Sequence, residues 1–240
     1  MDLGLKDRVA VVAASSKGLG RGVAAALAAE GVSLVLNART KGALDDTVEE
    51  LRSTGARVLG HVGDITDPGL PDELVALAVA EYGRLDVVVS NAGGPPPATS
   101  LELSDEAILS SIEAGLLSHV RFVRAARPHM EVNGWGRFCA MASFTVVQAQ
   151  PSLAASTLAR SGLRAWAKTA AQDLVEHGIT LNLVAPGLHL TDRIRALGEV
   201  AAHVGDPGDF GKVVAFLCSE PANFINGATI VVDGGATLAL

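Results

Sequence analysis

Residues 8–30 restrict the possible folds more than any other stretch of the chain. Val9 to Ala13 form a short unbroken apolar run, the pattern of a strand buried on both faces of a parallel sheet. Ser15 and Ser16 interrupt it, and Gly18, Gly20 and Gly22 follow at two-residue spacing. Val23 to Glu30 is then built from strong helix formers and is stopped by Gly31. A strand, a glycine turn and a helix in that order leave backbone N–H groups unpaired at a helix N-terminus, where a pyrophosphate can accept them. The glycines let the backbone approach the phosphates closely.

The rest of the chain repeats this alternation. Apolar runs at 33–36, 57–62, 85–90, 136–143, 179–184 and 229–232 read as further strands. Helical patterns at 42–54, 70–82, 105–130, 153–177 and 210–219 separate them, and Gly178 is placed to cap the longest. Strict alternation predicts an α/β fold: a doubly wound parallel sheet of about seven strands with helices on both faces. No linker or repeat divides the 240 residues, so one domain is expected over 1–240. Ligands of such sheets bind at the carboxyl ends of the strands.

Composition removes several function classes. A net charge of −7 is unsuited to a nucleic-acid backbone, which needs clustered Lys and Arg. The six histidines are scattered without ligand spacing, so no protein-bound metal is expected. Cys139 and Cys218 lie far apart in apolar surroundings and read as buried thiols of a reducing compartment. No apolar run reaches the ~20 residues needed to span a bilayer, and the charged stretch Met1 to Arg8 does not look like a secretion signal. A cytoplasmic protein without membrane partners is expected.

The cofactor type is suggested by the end of the second strand. An acid there would read a ribose 2′-hydroxyl, whereas an arginine accommodates a 2′-phosphate. The chain has Asn37 and Arg39 at this point, with Lys17 in the glycine loop. This favours NADP(H) over NAD(H).

At this point the chain resembles the short-chain dehydrogenase/reductase family and its 3-oxoacyl-carrier-protein reductase-like branch, over nearly its whole length. Ala13-Ala-Ser-Ser-Lys-Gly-Leu-Gly20 looks like the family's Thr-Gly-x-x-x-Gly-(Ile/Leu)-Gly loop, with Ala13 and Ala14 in place of Thr and the first Gly. The resemblance therefore puts Ser15, Ser16, Lys17, Gly18, Leu19 and Gly20 at the cofactor. Asp64 matches the acid that holds the adenine amino group. Ser90-Asn-Ala-Gly93 matches the Asn-Asn-Ala-Gly turn, placing Asn91, Ala92 and Gly93 beside the cofactor. The Ala185-Pro-Gly187 turn puts Pro186 and Gly187 next to the nicotinamide, with Thr191 at the position that contacts its carboxamide. The segment from 225 to 235 resembles the closing strand of the family. A single-domain Rossmann fold is implied.

The catalytic set departs from the family. Members use Ser, Tyr and Lys, with an Asn one helix earlier that holds a proton-relay water. Ser143 aligns with the serine that polarises the carbonyl. The Tyr-x-x-x-Lys pair falls at Ser156 and Arg160, and Gly115 stands where the Asn should be. The only tyrosine, Tyr82, precedes the fourth strand and is expected at the opposite edge of the sheet. Ser156 ionises far less readily than a phenol with pKa about 10. Arg160 keeps its charge and can hold ribose hydroxyls with its planar fork. His189, on the loop expected to pass the nicotinamide, and His119, one turn after Gly115, are alternative proton donors. Ordinary surface or loop histidines are the plainer reading of both. The segment 191–210 is shorter than the usual family lid, implying a more open site.

Two functions follow from the resemblance. One is an NADP(H)-dependent carbonyl reductase or alcohol dehydrogenase with an atypical site, acting on a small carbonyl or alcohol. There Ser143, Ser156, Arg160 and His189 carry the chemistry. The other is a non-redox descendant: a nucleotide-binding regulator, isomerase or lyase that has lost the acid–base pair. The helices at 105–130 and 153–177 resemble those through which family members form homodimers and homotetramers.

Overall fold

The computed structural model describes residues 1–196 and 204–239, apart from the side chain of Arg193. Seven parallel strands form one sheet in the order β3-β2-β1-β4-β5-β6-β7. They are β1 (Val9–Val12), β2 (Ser33–Ala38), β3 (Val58–Val62), β4 (Val87–Ser90), β5 (Gly136–Met141), β6 (Ile179–Pro186) and β7 (Thr229–Val232). The chain winds outward from β1 to β3, then returns to the far side of β1 as β4. That reversal opens a crevice outside the carboxyl ends of β1 and β4.

The unbroken apolar strands are explained by burial on both faces. Val9 and Val11 point into a core with Leu74, Phe122 and Leu163, while Ala10 and Val12 point into another with Leu27, Leu44 and Val214. The first core lies under α3 (Leu70–Tyr82), α5 (Ser118–Asn133) and α6 (Ala154–Leu174). The second lies under α1 (Gly18–Ala29), α2 (Lys41–Ser53) and α8 (Pro207–Leu217). Two glycines let α1 and α8 meet almost backbone to backbone. A Cβ on Gly22 would sit 2.1 Å from the Pro207 carbonyl oxygen, and one on Gly211 would sit 2.2 Å from that of Gly22.

The amino-terminal end of the sheet is tied by charge. Asp86 is fully buried, with Arg8 at 3.3 Å, Arg84 at 2.6 Å and the Val9 N–H at 2.9 Å. Tyr82 lies at that end. Its hydroxyl reaches the Leu34 carbonyl at 3.5 Å and its ring carries Arg57, 4.8 Å from the ring centre.

Several element limits differ from the sequence expectation. Helix α1 begins at Gly18 rather than Val23, and Gly20, having no Cβ, lets its first turn lie against the Ala14 carbonyl. The helix expected at 105–130 is α4 (Asp105–Ile112), a π-helical turn (Glu113–Leu117), and then α5. The wide turn surrounds Gly115 and leaves the apolar rhythm almost unbroken. Strand β5 stops at Met141, so Ser143 lies beyond the strand, where its side chain caps the turn Phe144–Val146. Cys139 and Cys218, distant in sequence, are neighbours in space. A hydrogen bond to Cys218, together with burial, pushes the Cys139 thiol well above its usual range. Of the expected short lid, the helix α7 (Asp192–Arg195) is seen and residues 197–203 lie outside the described residues.

Candidate active site

The glycine loop is braced from three sides. Ala14 stands in the left-handed region at φ 47°, a conformation costing a non-glycine residue about 1 kcal/mol. Its carbonyl accepts from Asn91 Nδ2 at 3.2 Å, and its N–H lies 3.5 Å from Asn37 Oδ1. Asn37 is itself buried, donating to the carbonyls of His61 and Gly63 at 3.2 and 3.0 Å. It therefore ties β2 to β3 and to the loop. Ser15 is buried too and donates to the Val12 carbonyl at 2.8 Å, so it supports the loop from beneath. Gly20 must be glycine, since a Cβ there would fall 2.3 Å from the Ala14 oxygen. Lys17 precedes α1 with extended backbone and no side-chain cap, which leaves the first N–H groups of a twelve-residue helix to an anion.

At the ends of β2 and β3, Arg39 Nη1 lies 3.7 Å from Asp64 Oδ2. The N–H and hydroxyl of Thr66 donate to Asp64 Oδ1 at 3.0 and 2.8 Å. These bonds, helped by Arg39, hold the carboxyl below its usual range. Asp64 thus stays an acceptor throughout the physiological range, as a partner for an amino group must.

Ser156 and Arg160 share one face of α6. Arg160 donates from Nη1 to Ser156 Oγ at 2.7 Å and from Nη2 to the Ala92 carbonyl at 3.3 Å. This ties α6 to the turn after β4. Both side chains are almost fully buried. Ser143 Oγ accepts from the N–H and hydroxyl of Thr145 at 3.3 and 3.0 Å. With its lone pairs engaged, its own proton is oriented for an outside acceptor.

A cleft of about 800 Å³ joins the glycine loop, the ends of β2 and β3 and the Ser156–Arg160 pair. Ser16, Lys17, Arg39 and Asp64 line one end, Asn91, Ala92 and Gly93 the middle, and Gly115, Ser156 and Arg160 the other. Ser15, Gly18, Leu19, Gly20, Ser143, Pro186, Gly187, His189 and Thr191 are not among the lining residues. Leu19 packs on the core. Gly18 faces Thr191, whose methyl would lie 3.2 Å from a Cβ there, so the loop after β6 rests on the glycine loop. The Gly187 N–H is held by the Val232 carbonyl at 2.9 Å. Sequence reasoning missed the wall opposite α6, formed by Ala107, Ser110, Ser111 and Ala114. Its signal is a run of small residues at helical three- and four-residue spacing.

Neither histidine stands ready to donate a proton. His189 is buried edge-on against Phe210, with ring centres 5.0 Å apart, and Nδ1 lies 3.2 Å from the Gly187 carbonyl. His119 is buried behind Gly115, with Nδ1 2.7 Å from Ser90 Oγ and no partner on Nε2. Burial and the nearby charge of Arg160 push its pKa down to about 3, so it is a neutral imidazole. The unfolded chain, with a histidine pKa near 6.5, binds more protons than the folded one between about pH 3 and 6.5. Stability is therefore lost as pH falls through that window, by up to about 1.4 kcal/mol per pH unit from this group. His119→Val should flatten the slope in urea titrations between pH 4.5 and 7. An unchanged slope would mean that the imidazole titrates normally.

The residues fit a dinucleotide: a helix N-terminus open to pyrophosphate, a cradle that Cβ atoms would fill, and a cleft running along the strand ends. Comparisons with known proteins agree. The sequence model of the enoyl-(acyl carrier protein) reductase family matches residues 13–237. The chain belongs to the short-chain dehydrogenase/reductase family. Human dehydrogenase/reductase SDR family member 4 is 32% identical over 96% of this chain and 88% of its own length. The 3-oxoacyl-[acyl-carrier-protein] reductase of Escherichia coli is 30% identical over 97% and 98%. Among solved structures, L-sorbose reductase from Gluconobacter frateurii, complexed with NADPH and L-sorbose, superposes with a TM-score of 0.94 at 29% identity, covering both chains entirely. This short-chain dehydrogenase/reductase is thus an oxidoreductase. Among its described residues no helix is long and apolar enough to cross a membrane, and no cluster of His, Cys, Asp and Glu could hold a metal.

Proposed function

We propose that the chain is an NADP(H)-dependent reductase or dehydrogenase of small carbonyl or alcohol compounds, working with an atypical catalytic set. The observation that carries this reading is a single cleft with two cations, Lys17 and Arg39, at one end and the Ser156–Arg160 pair at the other. Bound NADP(H) supplies or accepts the hydride. Lys17 and Arg39 take the 2′-phosphate, Asp64 the adenine amino group, and the α1 N-terminus the pyrophosphate. Asn91, Ala92 and Gly93 line the nicotinamide side, and Pro186, Gly187 and Thr191 close over it. Arg160 holds the ribose and keeps Ser156 in place. Ser143 orients the carbonyl with its free proton. His189 braces the loop after β6 rather than donating a proton.

Titrating protein fluorescence with NADPH and NADH tests the cofactor. A charge-assisted hydrogen bond contributes about 1.5–3 kcal/mol, so NADPH should bind at least about tenfold more tightly. Lys17→Ala with Arg39→Ala should erase the difference. Equal affinities in wild type would refute the NADP assignment. The alternative of a non-redox descendant rests on the missing tyrosine and lysine, and turnover of the restored pair separates the two.

The chain is further proposed to form a twofold homo-oligomer in the cytoplasm. A groove of about 450 Å³ between α5 and α6, where Pro128 and Trp166 lie among Arg124, Arg127, Glu131 and Asp173, offers a mixed apolar and charged surface to a second copy. Light scattering should give at least twice the 24.5 kDa chain mass, and a monomer at micromolar concentration would refute the assembly.

A further inference from the structure

Ser90, Asn91 and Ala92 follow one another at the carboxyl end of β4, and each holds a different element. Ser90 Oγ lies 2.7 Å from His119 Nδ1 on α5. Asn91 Nδ2 donates to the Ala14 carbonyl of the glycine loop at 3.2 Å. The Ala92 carbonyl accepts from Arg160 Nη2 on α6 at 3.3 Å. This short turn is therefore the junction between the loop at the head of α1 and the Ser156–Arg160 pair. Two of its bonds bear on groups that need support: Ala14 stands in the left-handed region at φ 47°, and Arg160 is a permanent cation. A turn that drifted would loosen both at once.

The bond to His119 anchors the turn from behind. Ser90 and His119 are both buried, and neither lines the cleft. Gly115 precedes His119 by one turn, and a Cβ on Gly115 would lie 3.9 Å from Arg160 Cγ, so imidazole and guanidinium are close. Burial, with the charge of Arg160, keeps the imidazole neutral. A neutral imidazole has two tautomers. With its proton on Nδ1 it donates to Ser90 Oγ and leaves a lone pair on Nε2. With its proton on Nε2 it presents an N–H that has no partner among the described residues. That second arrangement buries an unpaired donor in the field of a cation, where an unpaired acceptor costs less.

We propose that Ser90 and His119 are positioning residues of the cofactor site: the Nδ1–H of His119 donates to Ser90 Oγ and fixes the turn from which Asn91 holds the glycine loop and Ala92 holds Arg160. The inference rests on the chain's binding NADP(H) in this cleft and adds two residues that act through their neighbours.

The test has two arms. Nitrogen NMR of the full chain with isotopically labelled histidine, free of nucleotide, should show His119 protonated on Nδ1, and Ser90→Ala should remove that preference. The second arm reads NADPH affinity by fluorescence. His119→Leu should weaken binding roughly tenfold, the order of cost of leaving a buried hydroxyl without its partner. His119→Asn, whose amide nitrogen stands where Nδ1 does, should restore most of the affinity. His119→Gln, whose amide nitrogen stands where Nε2 does, should not, although it matches the imidazole better in size. His119→Leu combined with Asn91→Ala should cost little more than Asn91→Ala alone, because both act on the Ala14 carbonyl. If wild type bound neither NADPH nor NADH, the cofactor reading would fail by itself and the tautomer would still decide the Ser90 bond. A His119 protonated on Nε2 would overturn the proposal, as would His119→Gln binding NADPH as tightly as His119→Asn.

Discussion

Ser156→Tyr combined with Arg160→Lys should raise the turnover of a simple ketone by roughly 10²- to 10⁴-fold, the usual contribution of a positioned general acid. The backbone is already arranged for the pair. The two positions are one turn apart on α6, both line the cleft, and position 160 already touches the Ala92 carbonyl after β4. A phenol at 156 would enter space now bounded by Gly115, Ala155 and Ala159. A lysine at 160 would depress the phenol's pKa as a compact charge, which the broad guanidinium does less well. Gly115→Asn is best left out of the first variant, because its Cβ would lie 3.0 Å from that of Ala159 and force α6 to give way. Initial rates of NADPH oxidation with a simple ketone check this. A double variant that oxidises NADPH where wild type oxidises none with any acceptor would show that the natural protein has left redox chemistry.

Gly22→Ala should cost about 3 kcal/mol of folding stability, near the upper end for overpacking. The clash is with backbone: the added carbon would stand 2.1 Å from the Pro207 carbonyl oxygen, and a carbonyl in a helix's first turn cannot swing aside. The helices must separate, and Val23, Leu27, Phe210 and Val214, all fully buried, then lose contact. For a chain of this size the melting temperature should fall by about 6–12 °C. Gly42→Ala is the control, since open space surrounds its Cβ position, and it should be neutral or slightly stabilising. If both variants melt with wild type, the crossing is looser than its geometry implies. The α1 N-terminus is also the proposed pyrophosphate site, so Gly22→Ala should weaken NADPH binding as well.

The family relation and the local sequence account for different parts of the site. Where the family keeps a glycine, Ala14 is held in a left-handed conformation by Asn37, Asn91 and Gly20. The loop therefore keeps its shape through long-range bonds that no local reading of residues 13–20 contains. The site's catalytic end is the reverse case: spacing put Ser156 and Arg160 on one helix face, and their mutual bond follows from that spacing alone.

The sequence by itself determined the alternation of strands and helices, the parallel sheet, the glycine loop at the head of α1 and the one-turn spacing of Ser156 and Arg160. These are properties of neighbouring residues: apolar runs, helix formers, turn glycines and one-turn spacings. Only the tertiary structure decided what faces what. It paired the thiols of Cys139 and Cys218 and turned His189 towards Phe210. It drove the His119 pKa down to about 3 by enclosing the ring beside Arg160. It supplied the small-residue wall of α4 opposite α6. Burial, field and cavity shape come from groups brought together across the sheet, and the spacing of residues along a chain carries no record of them.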